Sequence, residues 1–261
     1  MGKILVITSG KGGVGKTLAV SNIAVALAKS GKKVLIADLD IGLRNLDIAV
    51  GMSDVIVYDI VDLLEGKCEF DRAVFKLDKY GELYFLPAAQ SADKESLDPE
   101  KVKEFFLGLK NNYDYILIDC PAGIDNGFKS AIAAADVGIV VVVPEPSSVR
   151  DADKVINLME LEDVPEIRMI INRVRPDLIH KGDMISVDNV TDTLGVSPVG
   201  IITEDDAVIC SRNKSIPVAL IPGSPAGCEF VNIANRIEGK NIPIITLGSK
   251  RKGLFGKLFF S

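Results

Sequence analysis

The chain has 261 residues, 48% of them hydrophobic and 25% charged, a balance that permits one sizeable core and does not point to disorder. Its formal net charge of −6 at pH 7 argues against a general nucleic-acid binder, and no run approaches the roughly 18 apolar residues of a membrane span. The sequence opens on Lys3-Ile-Leu-Val-Ile-Thr8 without the features of a secretory signal, so the expected compartment is the cytoplasm.

Short β-branched runs alternate with amphipathic stretches along the chain. Strands are predicted at Lys3–Thr8, Lys33–Asp38, Glu82–Leu86, Tyr115–Asp119, Val137–Val143, Arg168–Asn172 and Pro198–Ile202. Lys16–Ser30 reads as a helix, with Val20, Ile23, Ala24 and Leu27 at helical spacing and Gly31 placed to stop it. Asp98-Pro99-Glu100 opens another, which carries Val102, Phe105, Phe106 and Leu109. The wholly apolar Ile139–Val143 suits a sheet covered on both faces, hence parallel pairing. No repeat, linker or composition break precedes about Ile245. The expected architecture is α/β: a doubly wound, mostly parallel sheet with helices on both faces at 1–245, and a short amphipathic tail at 246–261.

The first strand leads into Gly10-Lys11-Gly12-Gly13-Val14-Gly15-Lys16-Thr17, which satisfies G-x-x-x-x-G-K-[ST] between a strand and a helix, the context that motif requires. Its glycines let backbone N–H groups close around phosphate oxygens, and the helix aims its positive end at the same anion. Lys16 would neutralise the outer phosphates, and the Thr17 hydroxyl would ligate Mg²⁺. The bland alternative is a glycine-rich turn that binds nothing. Lys11 adds a second cation inside the loop, which by itself could be a solvated charge.

Carboxylates follow two strands at the edge where open α/β sheets bind ligands. Asp38 and Asp40 end the second strand, with Asn45 and Asp47 beyond them. Tyr115-Ile-Leu-Ile-Asp119 is an apolar strand ending in Asp, the usual form of the second P-loop signature, whose carboxylate holds Mg²⁺ directly or through water. The alternatives are a solvated acidic loop, which for Asp47 stands level with a functional reading, and an Asp119 that merely caps the helix predicted at Gly127–Ala134. In Cys120-Pro-Ala-Gly123, the Gly123 N–H is placed to sense a γ-phosphate. Cys68, Cys120, Cys210 and Cys228 are irregularly spaced and read as reduced thiols, and the lone His180 is given no role.

Lys11-Gly-Gly-Val-Gly-Lys16-Thr17 resembles the deviant phosphate loop of the MinD/ParA superfamily of ATPases, and the likeness extends from Met1 to about Leu220 and resumes in the tail. In that superfamily the extra lysine reaches across a nucleotide-sandwich homodimer, which is what the resemblance implies for Lys11. It implies catalytic roles for Lys11, Lys16 and Asp40, with Asp40 serving the attacking water and, with Thr17 and Asp119, the metal. Nucleotide contacts are implied along Gly10–Leu18 (Leu18 included), and Asp38, Asn45 and Gly123 fall in switch segments. Asn172 and Arg173 match the adenine-contacting strand end, and Thr203, Glu204 and Asp205 the second base-contacting loop, although Thr203 replaces the usual Pro. Cys120 departs from the family's Ser or Thr. Pro144–Asp153 resembles the segment lining the dimer and partner surface.

The tail is basic first and apolar after. Lys250, Arg251, Lys252 and Lys257 place +4 in the last dozen residues and leave −10 on the rest. On a helix Leu254, Phe255, Leu258 and Phe259 would share one face, with Lys257 at its edge, the pattern of a membrane-surface segment. A helix docked on its own domain is the alternative, and Gly253 and Gly256 weaken isolated helix formation. The resemblance implies a reversible anchor on an anionic membrane at its inner face. The expectation is a slow ATPase using ATP/ADP and Mg²⁺, dimerising with ATP and recruiting a MinC-like or other partner, with no specific nucleic acid. Rival readings are a flagellar-placement ATPase, a ParA-type DNA-partition ATPase, an iron–sulfur carrier and a non-hydrolysing scaffold.

Overall fold

The computed structural model describes residues 1–42, 44–52, 56–90 and 97–244. Eight strands are described: β1 (Lys3–Thr8), β2 (Val34–Asp38), β3 (Phe75–Lys76), β4 (Leu83–Leu86), β5 (Tyr115–Asp119), β6 (Val137–Val142), β7 (Glu166–Val174) and β8 (Pro198–Thr203). They form one sheet in the order β3-β4-β2-β5-β1-β6-β7-β8, parallel except for β3, which runs antiparallel to β4. The helices of the first half are α1 (Lys16–Lys29), α2 (Leu46–Ala49), α3 (Ile60–Leu64), α4 (Phe70–Ala73) and α5 (Pro99–Leu109). Those of the second half are α6 (Asn126–Ile132), α7 (Pro146–Leu161), α8 (Pro176–Lys181), α9 (Val187–Leu194), α10 (Asp206–Asn213) and α11 (Pro225–Ile237).

Strand periodicity divides the core into two layers. In β1, Ile4 and Val6 face a cluster built with Val102 and Phe106 of α5 and Val155 of α7. Leu5 and Ile7 face the other side, against Val20, Ile23 and Leu27 of α1 and Phe230 and Ile233 of α11. The sheet is therefore doubly wound, as the sequence pattern implied. The chain passes from β5 over β1 to β6, so the winding reverses at the central strand, and a crevice opens there at the carboxyl ends.

Most boundaries match the sequence pattern to within two residues. Helix α1 runs Lys16–Lys29 and gives way at Gly31, whose φ of +89° suits glycine. Asp98 caps α5 by accepting from the Glu100 N–H, with Pro99 in its first turn. Strand β7 is longer than its apolar run at both ends, because Ile167 still pairs with Gly138 of β6 and Val174 with Thr203 of β8. The two-residue β3 carries no periodic signal and was not anticipated. The tail residues Lys250, Arg251, Lys252, Leu254, Phe255, Lys257, Leu258 and Phe259 lie outside the described residues. Among the described residues no helix is long and apolar enough to cross a membrane.

Candidate nucleotide site

The loop after β1 takes its shape from two left-handed glycines, Gly13 at φ +80° and Gly15 at φ +111°, on either side of Val14, which is buried in the α1-side core. Gly10 is required for a different reason: a Cβ there would stand 2.3 Å from the Asp151 carbonyl oxygen of α7. Among the described residues nothing lies within 4 Å of where a Cβ on Gly12 or Gly13 would sit. Lys16 is buried at the first position of α1, whereas Lys11 is exposed, with its Nζ 3.4 Å from Ser147 Oγ at the start of α7. Leu18 packs its side chain against the core, which leaves its backbone N–H as its share of any anion contact.

Strands β2 and β5 are neighbours with Asp38 opposite Asp119, so their terminal carboxylates meet at one edge. Thr17 Oγ1 donates to Asp119 Oδ2 at 2.6 Å, while Asp119 Oδ1 is buried with no hydrogen-bond partner among the described residues. Asp38 Oδ1 accepts from the Asp40 N–H at 2.9 Å. Burial pushes Asp119 up to about 6, and Asp40 pushes it the same way, against the Thr17 hydrogen bond and the Lys16 charge. Asp38 is raised well above its ordinary value by burial and by the neighbouring Asp119. Pooled negative charge with an unpartnered buried oxygen is the donor set of a divalent cation. Among the described residues no three His, Cys, Asp or Glu form a cage by themselves, so phosphate oxygens and water would complete the shell.

Asp119 does not cap α6; Asp125 does, accepting from the Phe128 N–H at 3.4 Å. Asp47, left open by the sequence, turns to local structure: it pairs with Arg44 at 3.2 Å and accepts from the Ile48 N–H. Asn45 is exposed at the start of α2, with no side-chain capping bond among the described residues. Gly123 takes φ +104°, and its N–H reaches the Ser9 carbonyl at 3.4 Å, so the loop after β5 leans on the phosphate loop. All four cysteines are free, and burial pushes the Cys120 thiol to about 12, which keeps it protonated.

The end of β7 also comes to the loop. Asn172 Nδ2 donates to the Val14 carbonyl at 2.7 Å, and its Oδ1 accepts from the Arg173 N–H at 2.9 Å. Arg173 Nη2 donates to the Gly13 carbonyl at 2.8 Å. Thr203 ends β8, and Glu204 lies 3.7 Å from Arg175. Asp205 caps α10 through the Ala207 N–H and accepts from Ser224 Oγ and the Ala226 N–H at the start of α11. Burial opposes its ionisation, but these three donors hold it below the usual carboxylate range. Sequence reasoning did not single out Ser147 beside Lys11, or Asn22, whose side chain ties Leu18 of α1 to the Ala219 N–H. Both contacts span more than a hundred residues, beyond any local signal.

A parallel sheet whose central strand feeds a glycine-rich anion loop, a buried lysine at the following helix and a Thr–Asp pair beside it together define a P-loop nucleoside triphosphatase. A family model described as an AAA domain matches residues 2–169. The septum site-determining protein MinD of Bacillus subtilis (strain 168) is 44% identical over 260 residues, covering 99% of this chain and 97% of that protein. The MinC:MinD cell division protein complex of Aquifex aeolicus aligns at a TM-score of 0.87 with 43% identity, covering 94% of this chain and 100% of the other. MinD of Pyrococcus horikoshii OT3, complexed with Mg-ADP, aligns at 0.83 with 31% identity over 91% of this chain and 96% of the other. The chain belongs to the septum site-determining MinD family of cell-division ATPases.

Proposed function

We propose that this ATPase is a dimerising switch: it binds Mg·ATP, pairs face to face with a second copy, holds to an anionic membrane in that state and positions a division regulator. The observation that carries the nucleotide half is the Thr17–Asp119 pair with its orphaned Asp119 Oδ1, set beside the buried Lys16. Thr17, Asp119 and Asp40 would hold Mg²⁺. When bound, the metal supplies charge neutralisation on the β- and γ-phosphate oxygens. Lys16 binds the phosphates from within the loop. Asp40 orients the water whose oxygen bonds the γ-phosphorus as the bridging P–O bond breaks, releasing ADP and phosphate. Positioning and electrostatics do most of the work.

The dimer half is supported by Lys11, which stands exposed on the loop beside Ser147 rather than turned in with Lys16. The relative solved with MinC supports a MinC-like partner, and the segment Pro144–Asp153 supports a surface for it, since its Ser147 meets Lys11. The body is assigned to 1–245 and the anchor to 246–261. Burying Leu254, Phe255, Leu258 and Phe259 yields about 6–12 kcal/mol, and the four basic residues add about 4 kcal/mol at an anionic surface. Ordering about nine residues costs on the order of 9–18 kcal/mol. One tail is near balance, and two on a dimer hold through multivalency. The test is sedimentation with anionic liposomes: pelleting in ATP and release in ADP are expected, and equal behaviour in both would sink the switch.

A further inference from the structure

Strand β7 ends on a residue in an unusual conformation. Arg173 has φ +55°, in the left-handed region that non-glycine residues rarely occupy. That conformation directs its guanidinium back over the phosphate loop to the Gly13 carbonyl, 160 residues away in sequence, at 2.8 Å. Its backbone N–H at the same time fixes Asn172 Oδ1, which leaves the Asn172 amide N–H₂ facing the Val14 carbonyl at 2.7 Å. Two successive loop carbonyls are thus held by one dipeptide. They are the carbonyls between the left-handed Gly13 and Gly15. A peptide whose oxygen is held outward must present its N–H on the opposite side, and an anion loop depends on that orientation. If either peptide flipped, a carbonyl dipole would oppose the phosphate.

We propose that Arg173 is a positioning residue: its guanidinium locks the Gly13 carbonyl, and with Asn172 keeps the loop's N–H groups turned to the phosphates. Arg173 thereby acts on the phosphate end of the nucleotide, not on its base. The inference rests on the nucleotide reading above. The lock is made by a charged donor, so losing it weakens nucleotide binding by about tenfold.

The experiment measures Mg·ADP binding calorimetrically for the wild type, Arg173→Ala, Arg173→Gly and Arg173→Lys, with steady-state KM and kcat for ATP. The Ala and Gly variants are expected to lose about tenfold in ADP affinity, and KM is expected to rise by more than kcat falls. Lysine, which still supplies a cationic donor, restores most of the loss. The same fold-loss is expected with the diphosphate of purine riboside, which lacks the amino group of adenine. Three results would overturn the proposal: wild-type affinity in Arg173→Ala, recovery in Arg173→Gly (which relieves the backbone and supplies no donor), or a loss confined to adenine nucleotides. A wild type that binds no Mg·ADP would remove the nucleotide reading itself, a result separate from these three.

Discussion

Asp119→Asn separates what the site costs the fold from what it gives the nucleotide. Asparagine keeps an oxygen to accept from Thr17 Oγ1 and removes the negative charge beside Asp38 and Asp40. Asp119 titrates at about 6 in the folded protein against 3.8 for an ordinary aspartate, so keeping it ionised at neutral pH costs the fold about 3 kcal/mol. Because the folded-state value is raised, stability is fully present below about pH 4 and is lost as pH rises through about 6. The asparagine variant cannot ionise and escapes that loss. In EDTA without nucleotide it is expected to melt roughly 6–12 °C above the wild type at pH 7.5, given about 2–4 °C per kcal/mol for a chain of this size. The gap should close as the buffer is brought toward pH 4. Saturating Mg·ATP should reverse the order, because ligand binding stabilises only the protein that holds the metal. Differential scanning fluorimetry across pH, with and without Mg·ATP, reads all of this. A variant that melts below the wild type in EDTA, or that keeps the full Mg·ATP shift, would refute the reasoning.

Lys16→Ala is expected to abolish nucleotide binding, whereas Lys11→Ala should keep ADP affinity and lose ATP-dependent dimers in sedimentation velocity; equal ADP losses would make Lys11 an ordinary loop charge. Asp40→Ala should still bind ATP in a filter assay while its turnover falls at least about a hundredfold, and undiminished turnover would move the role to another carboxylate. Phe255→Glu or Leu258→Glu should abolish liposome pelleting in ATP without changing nucleotide affinity. A drop in melting temperature together with a wild type that never pellets would point to a tail docked on its own domain.

The parts legible in advance were those set by neighbours in the chain. The phosphate loop announces itself because its glycines, Lys16 and Thr17 are consecutive, and strands such as β5 and β6 because burial on both faces leaves an unbroken apolar run. What the chain could not disclose locally is pairing. Asp38 and Asp119 face each other only because β2 and β5 are neighbours in register, and Asp119 adds to the burial that raises Asp38. Asp47 was undecided until Arg44 folded onto it. Asp205, which the resemblance puts in a base-contacting loop, also stands between a strand and a helix, a capping position, and its side chain accepts three hydrogen bonds from the starts of α10 and α11.

The end of β7 carries this furthest. The resemblance puts Asn172 and Arg173 at the base, and their side chains reach the carbonyls of Val14 and Gly13. The next residues continue outward, with Val174 opposite Thr203 and Arg175 beside Glu204, into the segment assigned to the base. A single strand end therefore touches the phosphate loop on one side and, through Arg175, Glu204 beyond β8 on the other. That strand end is also where the sheet is irregular: β6 pairs with β7 as far as Ile171, and the register with β8 shifts between Ile171 and Val174, at Asn172 and Arg173.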